Sequence, residues 1–221
     1  MTSCRKNPTA GSVLCFAPHP DDEVLGPGGT LALHSRQGDC VTPVIVTDGE
    51  AGDPDGRFDR ASYAQRRRSE SAAAAAVLGL QEPRFWGLPD SCEVAESDKV
   101  RLVGLAVGLL RELDPAVVYL PWRGDNNSDH LVLHEVVVRG LREVAFRGEA
   151  WGYEVWAPNP KPDLVVDITE VQTLKKRALA HFETQHAYGD LDHPVFGMNA
   201  YRSLLIERPG SYGEAFERVE V

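Results

Sequence analysis

Residues 18–23 read Pro-His-Pro-Asp-Asp-Glu, and residues 125–130 read Asp-Asn-Asn-Ser-Asp-His. Imidazole nitrogens and carboxylate oxygens suit a zinc ion, and a catalytic zinc keeps three protein ligands and one open position. Such an ion lowers the pKa of a water in that position to about 7, which makes a nucleophile near neutrality. A carboxylate beside the ion, but not on it, can take the proton of that water. Asp21 and Asp22 can divide these roles, one as base and one as ligand. A lone His-Pro is commonly a turn, and a lone Asp-Asp commonly a solvated helix N-cap. The two segments gain chemical meaning because each follows a predicted strand.

The elements that must position them are legible as alternating short apolar runs and helical stretches. Ser12–Ala17 and Val41–Thr47 read as buried strands with a helix, Gly28–Gln37, between them. A helix over Arg60–Leu78 ends at Gly79 and is followed by a strand, Arg84–Trp86. A helix over Val100–Leu113 is closed by Asp114-Pro115 before the strand Ala116–Leu120. His130–Arg142 carries the apolar spacing of a helix. The alanines of 72–76 read as a small-residue packing face. Beyond about residue 150, Tyr153–Ala157, Leu164–Ile168 and Arg202–Glu207 read as strands and Val171–Phe182 as a helix. The expectation is an α/β fold: one domain over residues 1–221, with a Rossmann-like, mostly parallel sheet and helices on both faces. Ligands gather at the carboxyl ends of parallel strands, where both motifs then lie.

Composition narrows the class. With 221 residues, 43% apolar and 25% charged, the chain suits one globular core. A formal charge of −10 repels phosphate backbones, so nucleic acid is not an expected partner. Arg66-Arg67-Arg68, the densest basic run, reads as a solvated helix face. The cysteines at 4, 15, 40 and 92 include no Cys-x-x-Cys pair and fit a reducing compartment, so the protein is expected to be cytoplasmic. No apolar run near the start is long enough for a membrane span.

Pro18-His19-Pro20-Asp21-Asp22-Glu23, followed by Gly26 and Gly28-Gly29-Thr30, resembles the signature of the PIG-L/LmbE-like zinc-dependent deacetylases. Further along, Val46-Thr47-Asp48-Gly49-Glu50, Arg67 with Glu70, Leu88-Pro89-Asp90 and Asp129-His130 fit the same pattern. So do Lys175, Thr184-Gln185, Tyr201-Arg202 and Glu214-Ala215-Phe216. The resemblance implies His19, Asp22 and His130 as ligands of one Zn²⁺ per chain (or another divalent ion), Asp21 as general base, and Asp129 as a carboxylate orienting the site. Arg67 and Asp90 fall where family members contact sugar hydroxyls. The implied reaction removes an acetyl or other acyl group from the nitrogen of an N-acetylglucosamine-type sugar or conjugate, and a homo-oligomer fits the family.

One position departs from the pattern: Asn127 stands where the family usually carries a histidine that serves the oxyanion or the leaving amine. Losing an oxyanion donor typically costs roughly 10²–10³ in rate. Asn127 can donate a hydrogen bond itself, His186 or His193 can replace the missing ring, or the activity is weak. Asn127 favours one alternative, a metal- and sugar-binding module with weakened catalysis; another is an amidase on a bulkier natural-product conjugate, which the same site would serve. Of the other histidines, His134 reads as a packing residue one turn after His130, and His34 and His181 as ordinary surface or boundary residues. Trp86, Trp151 and Trp156 read as core, and Trp122 as a candidate wall of the substrate cleft.

Overall fold

The computed structural model describes residues 2–90, 94–206 and 211–221. Its strands are β1 (Ser3–Arg5), β2 (Val13–Ala17), β3 (Val41–Thr47), β4 (Arg84–Leu88), β5 (Val117–Pro121), β6 (Glu149–Tyr153), β7 (Leu164–Asp167) and β8 (Gly213–Arg218). The helices are α1 (Asp22–Leu25), α2 (Gly28–Arg36), α3 (Arg60–Leu78), α4 (Glu96–Leu113), α5 (Ser128–Glu143), α6 (Gln172–Leu179), α7 (Glu183–His186) and α8 (Asp192–Arg202).

Every residue of β2 and β3 is buried, as expected of strands covered on both faces. Alternation along β2 assigns the two cores. Val13 and Cys15 pack on one face with Leu31 of α2, Leu78 of α3 and Leu179 of α6. Leu14 and Phe16 pack on the other with Leu110 of α4 and Val137 of α5. Ala74 and Ala75 are buried on α3, so the alanine run does form a packing face. That helix stops at Gly79, whose left-handed φ of 74° lets its N–H return to the carbonyls of Ala75 and Ala76.

The eight strands form one sheet in the order β1-β7-β8-β6-β5-β2-β3-β4. All pairs are parallel except those of β8, which runs antiparallel to β6 and β7. From β2 the chain moves outward through β3 and β4, then crosses back to β5 on the other side of β2. The strand order thus reverses between β2 and β5, and open α/β sheets bind ligands just beyond such a reversal.

Two sequence expectations after residue 150 are corrected. The strand placed at Tyr153–Ala157 lies earlier, at Glu149–Tyr153, paired with Val117–Pro121. Its glycine and glutamate mask the apolar pattern, but Gly152 is needed: a Cβ there would lie 2.9 Å from the Trp122 backbone. Arg202 ends α8 rather than starting a strand, residues 203–206 form a turn, and Glu207 lies outside the described residues. The late strand is β8.

A buried ion pair joins β8 to the helices beneath the first motif. Glu214 of β8 accepts hydrogen bonds from the backbone N–H groups of Gly29 and Thr30, both at 2.7 Å, at the start of α2. Lys175 of α6 donates to the same carboxylate at 2.7 Å and to the carbonyl oxygens of Leu25 and Gly26 at 2.9 and 3.1 Å. Both side chains are essentially inaccessible to water. The carboxylate faces the positive end of α2 and a cation together. Removing one member strands the other in the interior, so Glu214→Gln is expected to lose ~3–5 kcal/mol of unfolding free energy in chemical denaturation. Lys175→Met/Glu214→Gln should lose less than the sum of the single changes.

Candidate metal and active site

The turn after β2 carries His19, Asp21 and Asp22, and the loop from β5 into α5 carries Asp125 to His130. Neighbouring parallel strands deliver both to one edge of the sheet. His19 Nδ1 lies 2.9 Å from Asp22 Oδ2, and His130 Nε2 lies 3.1 Å from the same oxygen. All three residues are buried, and their donor atoms lie within 4.8 Å of one another. Tetrahedral ligands at zinc bond lengths stand about 3.3 Å apart. Asp22 Oδ1 and His130 Nε2 are buried without a properly aligned hydrogen-bond partner. Buried polar atoms are normally satisfied, so this donor set fits a divalent cation held among the three side chains.

A second layer of acids surrounds the two rings. His19 Nε2 faces Asp90 Oδ1 at 3.0 Å and Asp129 Oδ2 at 3.2 Å, and His130 Nδ1 faces Asp125 Oδ2 at 3.4 Å. Carboxylates in such positions fix ring orientation and raise ligand basicity. Burial pulls the His130 pKa down, but Asp22 and Asp125 outweigh it and bring it up to about 9. Burial likewise opposes His19, which Asp129, Asp22 and Asp90 hold well above its ordinary value. Burial raises Asp22 less than the two imidazoles lower it, so it stays ionised. The pocket is therefore built for positive charge, whether protons or a metal.

Asp21 sits apart from this set. Arg67 of α3 donates to Asp21 Oδ2 at 2.7 Å, to the Pro20 carbonyl at 2.8 Å and to the Gly49 carbonyl at 2.9 Å. Gly49 has a left-handed φ of 70°, and a Cβ there would lie 2.5 Å from the guanidinium. Burial raises the Asp21 pKa to about 6, against the pull of Arg67. Its backbone N–H donates to Glu23 at 2.9 Å. Burial lifts Glu23 to about 8, and its other oxygen accepts from Ser71 at 2.5 Å.

A cleft of about 330 Å³ opens over these groups, bordered by His19, Asp21, Asp90, Asn127, Trp156 and Tyr188. Asn127 Oδ1 accepts from the Asp129 N–H at 2.8 Å as the N-cap of α5, which leaves Nδ2 as a donor at the cleft. Arg67 and Asp90 do reach the cleft, but Arg67 is bonded to Asp21 and Asp90 faces His19. Arg67 is buried, unlike Arg66, so the solvated-face reading fails at this position. Asp90 also accepts from the Ala51 N–H at 3.1 Å.

Several sequence expectations are overturned here. Trp122 is buried and its Nε1 donates to the Ala157 carbonyl at 2.9 Å, so it supports the cleft from behind and does not line it. Trp156 lines it and is 60% exposed, because β6 ends before it. Neither His186, whose Nε2 faces the Leu179 carbonyl at 3.2 Å, nor the exposed His193 borders the cleft. His34 is fully buried, with Asp39 at 2.6 Å and the Tyr119 hydroxyl at 3.0 Å on its two nitrogens. His134 packs as expected, against the Pro121 carbonyl at 2.8 Å, and His181 is exposed. Asp125, five residues before His130, carries no motif signal of its own, and its place against His130 Nδ1 emerges only in the fold. Cys15 and Cys40 are free thiols, the Cys4 thiol donates to the Leu205 carbonyl at 3.2 Å, and Cys92 lies outside the described residues.

Comparison with known proteins bears on this arrangement. Residues 14–141 match the sequence model of the PIG-L family, described as GlcNAc-PI de-N-acetylase. The chain is 30% identical to the diacetylchitobiose deacetylase of Thermococcus kodakarensis over 78% of its length and 69% of that protein's. Three deacetylases of 1D-myo-inositol 2-acetamido-2-deoxy-alpha-D-glucopyranoside, from Kineococcus radiotolerans, Acidothermus cellulolyticus and a Mycobacterium species, are matched at 29–34% identity over 44–53% of their own length. Among solved structures, the N,N'-diacetylchitobiose deacetylase of Pyrococcus horikoshii superposes with a TM-score of 0.77 at 24% identity, covering 94% of this chain and 83% of that one. The 4-carboxy-2-hydroxymuconate hydratase of Pseudomonas putida superposes at 0.82 and 24% identity, covering 96% and 97%. These two likenesses establish the fold, while the match of the sequence over more than half its length establishes descent: the chain belongs to the PIG-L family.

Proposed function

We propose that this protein is a zinc-dependent N-deacetylase acting on an N-acetylglucosamine-type sugar or conjugate. The observation that carries the reading is the convergence of His19, Asp22 and His130 on one point, with Asp21 beside them and outside the ligand set. A zinc ion held by the three side chains would supply Lewis-acid polarisation of the amide carbonyl and of the attacking water.

The chain's own residues do the rest. Asp21 takes the proton of the attacking water and, with its pKa raised by burial to about 6, can pass it to the departing nitrogen. Arg67 holds the Asp21 carboxylate in place through the 2.7 Å contact. Asn127 Nδ2 donates toward the oxygen on which negative charge develops, and takes the part of the family's usual histidine as a donor but not as an acid. Asp90, Asp125 and Asp129 orient the two rings. The products are acetate and a free amine. Release of amine from an N-acetylated sugar separates this chemistry from a hydration reaction on the same fold. Among the described residues no helix is long and apolar enough to cross a membrane, and the expected substrate is a small molecule.

Asp22→Ala is expected to lose bound zinc, read by elemental analysis. Asp21→Ala should keep the metal while turnover of N-acetylglucosamine falls by roughly 10²–10⁴. Full activity in both variants would refute the assignment. Asn127→Ala should lower kcat by roughly 10²–10³ with little change in metal content.

The Asp21–Arg67 pair also gives a test in the metal-free protein. The folded pKa of Asp21 lies above its unfolded value, so its contribution to stability is fully present below pH about 4 and is lost as pH rises through about 6. Arg67→Met removes the group that pulls this pKa down and so enlarges the loss. Denaturation should show Arg67→Met costing at least ~1 kcal/mol more at pH 8 than at pH 4.

A further inference from the structure

A second cavity, of about 280 Å³, adjoins the catalytic cleft and shares Trp156 with it. It lies between α8 and the segment after β6, and its apolar wall includes Leu25, Val155, Leu191, Val195 and Met198. The three polar residues on its surface are all committed elsewhere. Glu154 pairs with Arg202 and accepts from the Asn159 N–H. Asn199 accepts from Lys175 at 3.3 Å and donates to the Gly213 carbonyl at 3.0 Å. Glu214 is held by Lys175, Gly29 and Thr30. Among the described residues an occupant therefore meets mostly hydrocarbon and one exposed indole, while the carboxylates and the amide on the wall are already paired.

We infer that this cavity is a subsite for an apolar substituent of the substrate, an alkyl or aryl group carried on the amine side of the scissile amide. The inference rests on the deacetylase reading and narrows its substrate to an amphiphilic conjugate. Because Trp156 borders both spaces, a sugar seated over Asp21 and Asn127 can direct a substituent past the indole toward the second cavity. The relatives described above are deacetylases, whose acyl group is small, so the apolar arm belongs to the part that leaves as the amine. Clefts for small ligands are mostly apolar, with few polar groups fixing orientation. Here the two functions fall in adjacent spaces.

The experiment uses the zinc-loaded full chain and the methyl, butyl and hexyl glycosides of N-acetylglucosamine, assayed for free amine. In the wild type kcat/KM should rise roughly two- to fourfold per methylene. Val195→Trp, which fills the cavity, and Met198→Glu, which puts a charge on its wall, should each flatten the series. The hexyl-to-methyl ratio within each variant is the readout, so a partly unfolded preparation does not mimic the result. A flat series in a wild type that turns over the methyl glycoside overturns the subsite and leaves the deacetylase standing. Absence of turnover on all three glycosides overturns the deacetylase reading instead. The cavity is then judged by fluorescence, using Trp156→Phe to isolate the Trp156 signal. A response that grows from methyl to hexyl supports the subsite, and one that does not overturns it.

Discussion

One carboxylate oxygen organises the site. Asp22 Oδ2 accepts from the His19 backbone N–H at 3.0 Å and stands within 3.1 Å of a ring nitrogen from each imidazole. It can do so only because β2 and β5 are adjacent and parallel, so that loops separated by about a hundred residues emerge side by side. The acids crowded there would repel one another in an ordinary interior. They are tolerated because two imidazoles, one guanidinium and several backbone N–H groups face them, and His19, Asp22 and His130 leave room among their donor atoms for a cation. A buried carboxylate with no cation facing it shifts its pKa upward, and burial does this to Glu23 one residue away despite its two hydrogen-bond donors.

Support for this loop comes from beneath it. The short α1 leads directly into α2, whose first N–H groups are gripped by Glu214, while Lys175 holds the carbonyls of Leu25 and Gly26. Gly26 and Gly29 admit no side chain: a Cβ would come within 2.4 Å of Tyr153 in the first case and 2.8 Å of Ile168 in the second. The glycines that follow the histidine–aspartate motif thus serve close packing against β6 and the segment after β7. Catalytic geometry at the top of the sheet and tight contact below it are one structural problem.

Much of this was legible in the sequence. Apolar runs of strand length and capped helices located β2, β3, α2 and α3 closely, and the spacing of His19, Asp22 and His130 from their strands placed them on one edge. What escaped detection depended on partners far along the chain. Glu149–Tyr153 does not alternate in the way a half-buried strand does, and only pairing with β5 reveals it. Placing that strand four residues late puts Trp156 in the core, while Trp122 looks like the cleft wall because it stands in the loop leading to Asp129-His130. His34 looked like a surface residue because Asp39 and Tyr119, which satisfy it in the interior, are recognisable as its partners only in three dimensions. Arg67 and Asp90 border the cleft, but sequence could not show that their polar atoms bind Asp21 and His19.

Asp125 ties these observations together. One of its oxygens accepts from the Trp156 N–H at 3.1 Å and stands 3.4 Å from His130, while the other accepts from the Asn127 N–H at 2.9 Å. The exposed Trp156 at the rim of the cleft, Asn127 and the His130 ring therefore share a single anchor. Any outward swing of the Trp156 segment strips Asp125 of a donor and leaves its charge more fully on the imidazole. Opening of the rim and the electron-donating strength of His130 are thereby mechanically linked, a coupling that a cleft bounded by an independent flap would lack.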